Sequence, residues 1–125
     1  MSDLGGTARF DAVFAFDAIH DQADPAGVLA EVYESLRPDG VFVMLDIRAS
    51  SRLERNVENP FAPILYAIST LHCMPVSLAE GGAGLGTVWG EEVAIEMLGT
   101  AGFTDLEVHE VEGDPIDSVY VARKR

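Results

Sequence analysis

The sequence predicts an α/β fold, and three observations carry that expectation. Two short apolar runs rich in β-formers flank an amphipathic helical stretch, a second well-bounded helix follows, and two strand-like segments close the chain. Strand, helix and strand within about forty residues make a right-handed βαβ unit, so the first two strands should lie parallel. The segment joining the last two is too short for a crossover helix, so that pair should be antiparallel. At 125 residues the chain is one compact domain, or part of one.

The elements follow in order. Phe10-Asp11-Ala12-Val13-Phe14-Ala15-Phe16 reads as a strand buried on both faces. Asp24-Pro25 starts a helix, with Asp as the cap and Pro in the first turn. Val28, Leu29, Val32 and Leu36 then recur at helical spacing and form one apolar stripe. Pro38-Asp39-Gly40 should stop that helix and turn the chain into a second strand from Val41 to Ile47. Pro63 to Met74 is an apolar helix set between Pro60 and Pro75, and Gly81 to Gly86 is a flexible loop. Glu91 to Ala101 is helical, with acids in its first turn and Gly102 as its C-terminal cap. Leu106 to Val111 and Ser118 to Ala122 are the closing strands.

Composition narrows the function classes. Hydrophobic residues make up 48% of the chain, enough for a real core. No run approaches the roughly 18 uninterrupted apolar residues of a membrane span, so no membrane partner is expected. Met1 to Gly6 has neither a basic start nor an apolar stretch, unlike a signal peptide. The single cysteine, Cys73, excludes an internal disulfide and any cysteine-based zinc cluster, which favours a cytoplasmic setting. A formal charge of −13 repels phosphate backbones, and Arg48, Arg52, Arg55 and the Arg123-Lys124-Arg125 tail are the groups of bases set against it. Nucleic-acid binding is not expected, and the acids suit solubility.

The order of elements, with three local words, resembles the second half of class I S-adenosylmethionine-dependent methyltransferases. Phe10-Asp11-Ala12-Val13 is similar to that family's fourth strand, and Leu36-Arg37-Pro38-Asp39-Gly40 to its Leu-x-Pro-Gly-Gly turn. Ala101-Gly102-Phe103 before the sixth strand is also typical of it. Phe16 to Gln22, His72-Cys73-Met74 and the Gly-rich loop before Trp89-Gly90-Glu91-Glu92 look closest to a bacterial subgroup. In that subgroup a winged-helix-like segment usually precedes the methyltransferase domain. The resemblance implies the C-terminal half of a Rossmann-like methyltransferase fold: residues 1–125 as strands four to seven, with 49–90 as a substrate-pocket or lid insertion. The family's glycine loop after the first strand, and the acid that binds the cofactor's ribose, have no counterpart in these residues. What matches is the end of the fourth strand, which implies Phe16, Asp17 and Ala18 as cofactor-binding positions, their backbone above all.

Gly82-Ala83-Gly84-Leu85-Gly86 is a G-x-G-x-G, with Glu107 about twenty residues on, as a dinucleotide fingerprint asks. The fingerprint also needs a strand directly before the loop and a helix opening at it. Here helix precedes the loop and four residues separate Gly86 from Glu91, so a lid or linker is the better reading.

Methyl transfer is an in-line displacement at a sulfonium, so positioning supplies much of the rate, and a base is needed only where the acceptor must lose a proton. Histidine is the side chain most easily tuned for that near neutral pH. His20 follows the first strand at its carboxyl end, where open α/β sheets bind ligands, and is the catalytic candidate. The competing reading is a loop histidine that caps backbone. Asp21, Asp46, His72 and Met74 are the substrate-binding candidates. Against them stand a turn acid for Asp21, a solvated strand-end carboxylate for Asp46, and simple helix packing for the His72-Cys73-Met74 stretch. No metal is expected, because Asp17, His20 and Asp21 crowd one short loop without a fourth donor.

The expected activity is methyl transfer from S-adenosylmethionine to a small-molecule acceptor, as part of a larger or oligomeric enzyme and inactive alone. The alternative is a non-catalytic methyltransferase-like remnant or association module. Without a strand beside it, Phe10–Phe16 would be an apolar sheet edge, a hazard for pairing, so a homo-oligomer through that edge is expected.

Overall fold

The computed structural model describes residues 8–125, so the stretch Met1 to Gly6, read above as unlike a signal peptide, lies outside it. Four strands form one sheet in the order β1-β2-β4-β3: β1 (Phe10–Phe16), β2 (Leu36–Ile47), β3 (Asp105–Glu110) and β4 (Asp117–Arg123). β1 and β2 are parallel, with Phe16 opposite Leu45, and the β2–β4 and β3–β4 pairs are antiparallel, as the sequence predicts.

Helix α1 (Pro25–Ser35) makes the crossover between β1 and β2, and the Asp24 side chain caps it by accepting from the Gly27 N–H. It ends one residue before the last member of the predicted stripe. Leu36 is already extended, at φ −76 and ψ 140, yet its side chain stays fully buried. Pro38 explains the early stop, because the residue before a proline is pushed out of the helical region. The chain therefore enters β2 at Leu36 through a bulge, with Phe10 opposite Leu36 and Ala12 opposite Val41. Within the bulge Asp39 takes φ 65 and donates its N–H to the Lys124 carbonyl.

The predicted helix between Pro60 and Pro75 runs further than expected. α2 (Ala62–Ile68), a π-helical turn (Ser69–Cys73) and α3 (Met74–Ala79) follow one another without a break. Pro75 lacks the N–H that an α-helix would use and its ring crowds the preceding turn, and the wider π-turn directly before it relieves both faults. The stretch Ala62–Ala79 spans 18 residues at mean hydropathy 1.4, so one helix has the length and composition of a membrane span. Leu65, Ser69, Cys73 and Ser77 form its buried stripe, spaced by four residues as a π-widened helix requires.

Helix α4 (Glu91–Ala101) ends at Gly102, which takes φ 119. α1 and α4 lie on the same face of the sheet. There Leu29, Val32 and Leu98 close over Phe42, Met44, Tyr120 and Ala122 to form the core. The opposite face presents Phe14 and Phe16 from β1, beside Val43 and Leu45 from β2 and Val121 and Val119 from β4. None of these belongs to the core or packs against it among the described residues. β1 is thus not buried on both faces: it is the sheet's outer strand, and Phe14 and Phe16 are 59% and 63% exposed. Its predicted role as an apolar edge holds, because among the described residues only β2 pairs with it.

The loop after β2 is held to the start of α4. Ser51 Oγ donates to the Trp89 carbonyl, and the Glu92 carboxylate accepts from the Ser51 N–H and the Ser50 hydroxyl. Those hydrogen bonds pull the Glu92 carboxyl down to about 2. Gly90, at φ 88, makes this approach feasible, since a Cβ there would fall 2.1 Å from the Ser51 nitrogen. Gly90→Ala should therefore cost about 3 kcal/mol, read as a drop in the denaturation midpoint, whereas Gly99→Ala, facing open space on α4, should cost nothing or stabilise.

Candidate functional site

The loop after β1 begins at Asp17, which adopts a left-handed backbone at φ 48 and donates its N–H to the Leu45 carbonyl. This bond continues the parallel ladder one residue past the strand and turns the chain inward, so that Ile19 and His20 become buried while Phe16 and Asp17 stay exposed. Asp46 lies next to Leu45 on β2, on the face that looks into the core, and is fully buried.

The two meet. His20 Nδ1 lies 2.9 Å from Asp46 Oδ1, which also accepts the Ile47 N–H at 2.8 Å. The other ring nitrogen, Nε2, sits 3.2 Å from Asp21 Oδ1. Each ring nitrogen thus has a carboxylate beside it, Asp46 at Nδ1 and Asp21 at Nε2. Burial works against a charged imidazole, but the hydrogen bond and charge of Asp46, joined by Asp21 and Asp17, outweigh it and raise His20 above its ordinary range. His20 is therefore not a backbone-capping loop residue, and Asp46 is not a solvated strand end: the two form a buried dyad.

More carboxyls gather at this end of the sheet. Burial, followed by the charge of Asp46, raises Asp17. Burial, followed by the charges of Asp17 and Asp114, pushes Asp117 up to about 6. Asp117 stands opposite Ile47 on β4, and its Oδ1 is buried without a hydrogen-bond partner among the described residues. The inserted helix contributes Cys73, buried and bonded to Thr87 Oγ1 at 2.7 Å, whose thiol burial pushes up. Sequence reasoning kept Cys73 only as a neighbour of His72 and Met74. The helix turns them differently: Cys73 is buried against the loop that carries His20 and Asp21, Met74 is half-buried, and His72 is exposed. The buried stripe from Leu65 to Ser77 was the signal available for finding it.

An apolar hollow of about 290 Å³ runs along the free side of β1 and is lined in part by Phe14, Phe16, Ala18, Ile19 and Gln22. It holds two of the three cofactor-binding candidates. The glycine-rich loop takes no part in such a site. It follows helix α3, the Ala83 N–H donates to the Ala23 carbonyl, and the Gly84 N–H donates to Ser77 Oγ. Glu107 is an exposed strand residue tied to His109 and Arg123.

A family model described as a methyltransferase domain matches residues 2–89. No curated protein matches. Among solved structures, an O-methyltransferase from Nostoc punctiforme is 20% identical with a TM-score of 0.65, covering 94% of this chain and 33% of its own. An O-methyltransferase family protein from Burkholderia thailandensis is 15% identical with a TM-score of 0.65, covering 95% and 31%. Human N-acetylserotonin methyltransferase, solved with S-adenosylmethionine, is 20% identical with a TM-score of 0.60, covering 99% and 31%. The chain thus spans about a third of the length of the solved structures it matches.

Asp117 provides a direct test of the acidic cluster. Its folded value, about 6, lies above the ordinary 3.8, so the folded state disfavours its charge. Its contribution is most favourable below the unfolded value and is lost as pH rises from about 4 through about 6. Asp117→Asn should raise the melting temperature by several degrees at pH 7.5, roughly 1–2 kcal/mol after allowing for solvent screening. The gain should shrink toward nothing by pH 4; a gain that persists there would separate the effect from charge.

Proposed function

The chain belongs to the class I methyltransferase-domain family, and on that premise we propose that it takes part in methyl transfer from S-adenosylmethionine to a small-molecule acceptor. The buried His20–Asp46 dyad carries this reading, because it stands at the carboxyl end of two parallel strands, where such sheets take their ligands.

The residues present suit the methionine end of the cofactor. Phe16 and Ala18 line the hollow along β1, Asp17 lies between them in the chain, and the carboxyls of Asp17, Asp46 and Asp117 would make a negative surround for a sulfonium cation. When bound, the cofactor supplies an electrophilic methyl group. His20 would accept the acceptor's proton at Nε2 while Asp46 holds the ring and its tautomer. Asp21 and Met74 would border the acceptor, and we assign residues 49–90 as the insertion that shapes its pocket. His72, exposed on that insertion, would reach an acceptor only through a shift of the helix.

The rest of the cofactor pocket is supplied, in this reading, by a larger or oligomeric assembly, and the described residues alone are inactive. The free side of β1 and the apolar face with Phe14, Phe16, Val43 and Leu45 support pairing through Phe10–Phe16. We place the protein in the cytoplasm, apart from membranes and nucleic acid. Several of its few cations are engaged within the chain, Arg48 with the Asp117 carbonyl, Arg55 with Glu92 and Arg125 with Asp105. The same uncovered face favours one rival, a non-catalytic association module, which would use the face and leave His20 idle.

Titration with S-adenosylhomocysteine tests the cofactor reading. At a hundred times the dissociation constant it should add about 2.7 kcal/mol of stability, a rise of several degrees in melting temperature. Absence of both a shift and a calorimetric heat would leave the association module. In an assembly that turns over, His20→Gln should keep the shift and lose roughly a hundredfold or more in rate; an unchanged rate would remove His20 from the chemistry. Light scattering should show a dimer or larger species, and a monomer at working concentrations would defeat pairing through β1.

A further inference from the structure

His20, Asp21 and Cys73 come from two separate parts of the chain, the loop after β1 and the π-turn of the inserted helix. Each offers one donor atom, and the three atoms lie within 4.8 Å of one another. A nitrogen, an oxygen and a sulfur donor together are the set that zinc and other borderline-soft divalent cations select. We propose that this cluster binds Zn²⁺ or a similar cation through His20 Nε2, an Asp21 carboxylate oxygen and the Cys73 thiolate, leaving the fourth position open. The inference stands on this geometry and does not rest on the methyl-transfer reading.

The surroundings are those a metal centre needs. A ligating imidazole almost always gives its other ring N–H to a carboxylate, which fixes the ring and raises its basicity. Asp46 does this for His20 at 2.9 Å, with both side chains buried. Asp21 Oδ1 is buried and has no hydrogen-bond partner among the described residues, although it lies 3.2 Å from Nε2. A cation would give it one. Thr87 Oγ1, 2.7 Å from the sulfur, is placed to donate to a thiolate.

Charge and access agree. Asp21 and a Cys73 thiolate together neutralise a divalent ion, and binding releases the thiol proton to solvent. Asp21 forms part of the wall of a cleft of about 360 Å³ whose other acids are Asp24, Glu31 and Glu80, a negative approach that concentrates cations. Ligand atoms around tetrahedral zinc sit about 3.5 Å apart, so the most widely separated donors would close by at most about an ångström on binding, while His20 Nε2 and Asp21 Oδ1 are already near that spacing. A metal on Nε2 also removes the lone pair that would accept an acceptor's proton. Bound zinc would therefore inhibit a His20-dependent reaction.

The test uses the full chain, free of any affinity tag, titrated with Co²⁺ alone and read by absorption. One ion should bind per chain with a thiolate-to-cobalt charge-transfer band, and Zn²⁺ should displace it. Cys73→Ser should abolish the band, His20→Gln and Asp46→Asn should weaken binding by about 10–100-fold, and His109→Gln, on the surface, should change nothing. Circular dichroism establishes that each variant is folded, and the wild-type spectrum stands as a test even where a variant does not fold. A folded wild type without the charge-transfer band overturns the site, as does a band that survives Cys73→Ser. Since none of these readouts involves methyl transfer, failure of the cofactor titration leaves the metal site standing, and the reverse holds too.

Discussion

The parallel ladder between β1 and β2 is the constraint on which the rest of the structure depends. Its register places Phe16 opposite Leu45, and the Asp17 N–H extends it by one further bond to the Leu45 carbonyl. From that point the loop has only three residues in which to reach His20. A side chain leaving β1 there lands beside the next residue of β2, which is Asp46. Shifting the ladder by one residue would turn Asp46 to the opposite face and leave both groups without a partner. A fully buried carboxyl is costly unless it is hydrogen-bonded, so the His20–Asp46 contact and the register support one another.

The segment between β2 and α4 depends on a local defect in a helix. A regular α-helix from Ala62 would meet Pro75 with a clash and a lost hydrogen bond, and the π-turn at Ser69–Cys73 absorbs both. The same turn sets a four-residue spacing along the buried side and brings Cys73 against the loop that carries His20 and Asp21. Ser50, Ser51 and Glu92 fasten the other end of the segment, with Gly90 allowing backbone to approach backbone. Packing, backbone strain and the composition of the site are therefore linked through one segment.

Among the described residues the sheet is covered on one side only. α1 and α4 bury Phe42, Met44, Tyr120 and Ala122, whereas Phe14 and Phe16 face outward with the valines and leucine of β2 and β4. Their rings stack on each other at 6.3 Å, which hides little of either from solvent. An apolar face of this kind on an otherwise strongly acidic chain is where association would remove the most hydrocarbon from water.

By itself the sequence determined the elements and their directions. Apolar runs rich in β-formers, helical spacing, the Asp24 cap and Gly102 located α1, α4 and the four strands to within a residue at most ends, because caps and spacing are local properties. It also placed His20 and Asp46 among the candidate site residues, since both lie at strand ends where ligands gather. Tertiary structure alone decided that His20 and Asp46 are partners, that Cys73 and not His72 joins them, and that one face of β1 is left uncovered among the described residues. Each of these depends on contacts between residues far apart in the chain, set by register, by the phase of a π-widened helix and by which layers are present. None of those quantities is written in a local pattern.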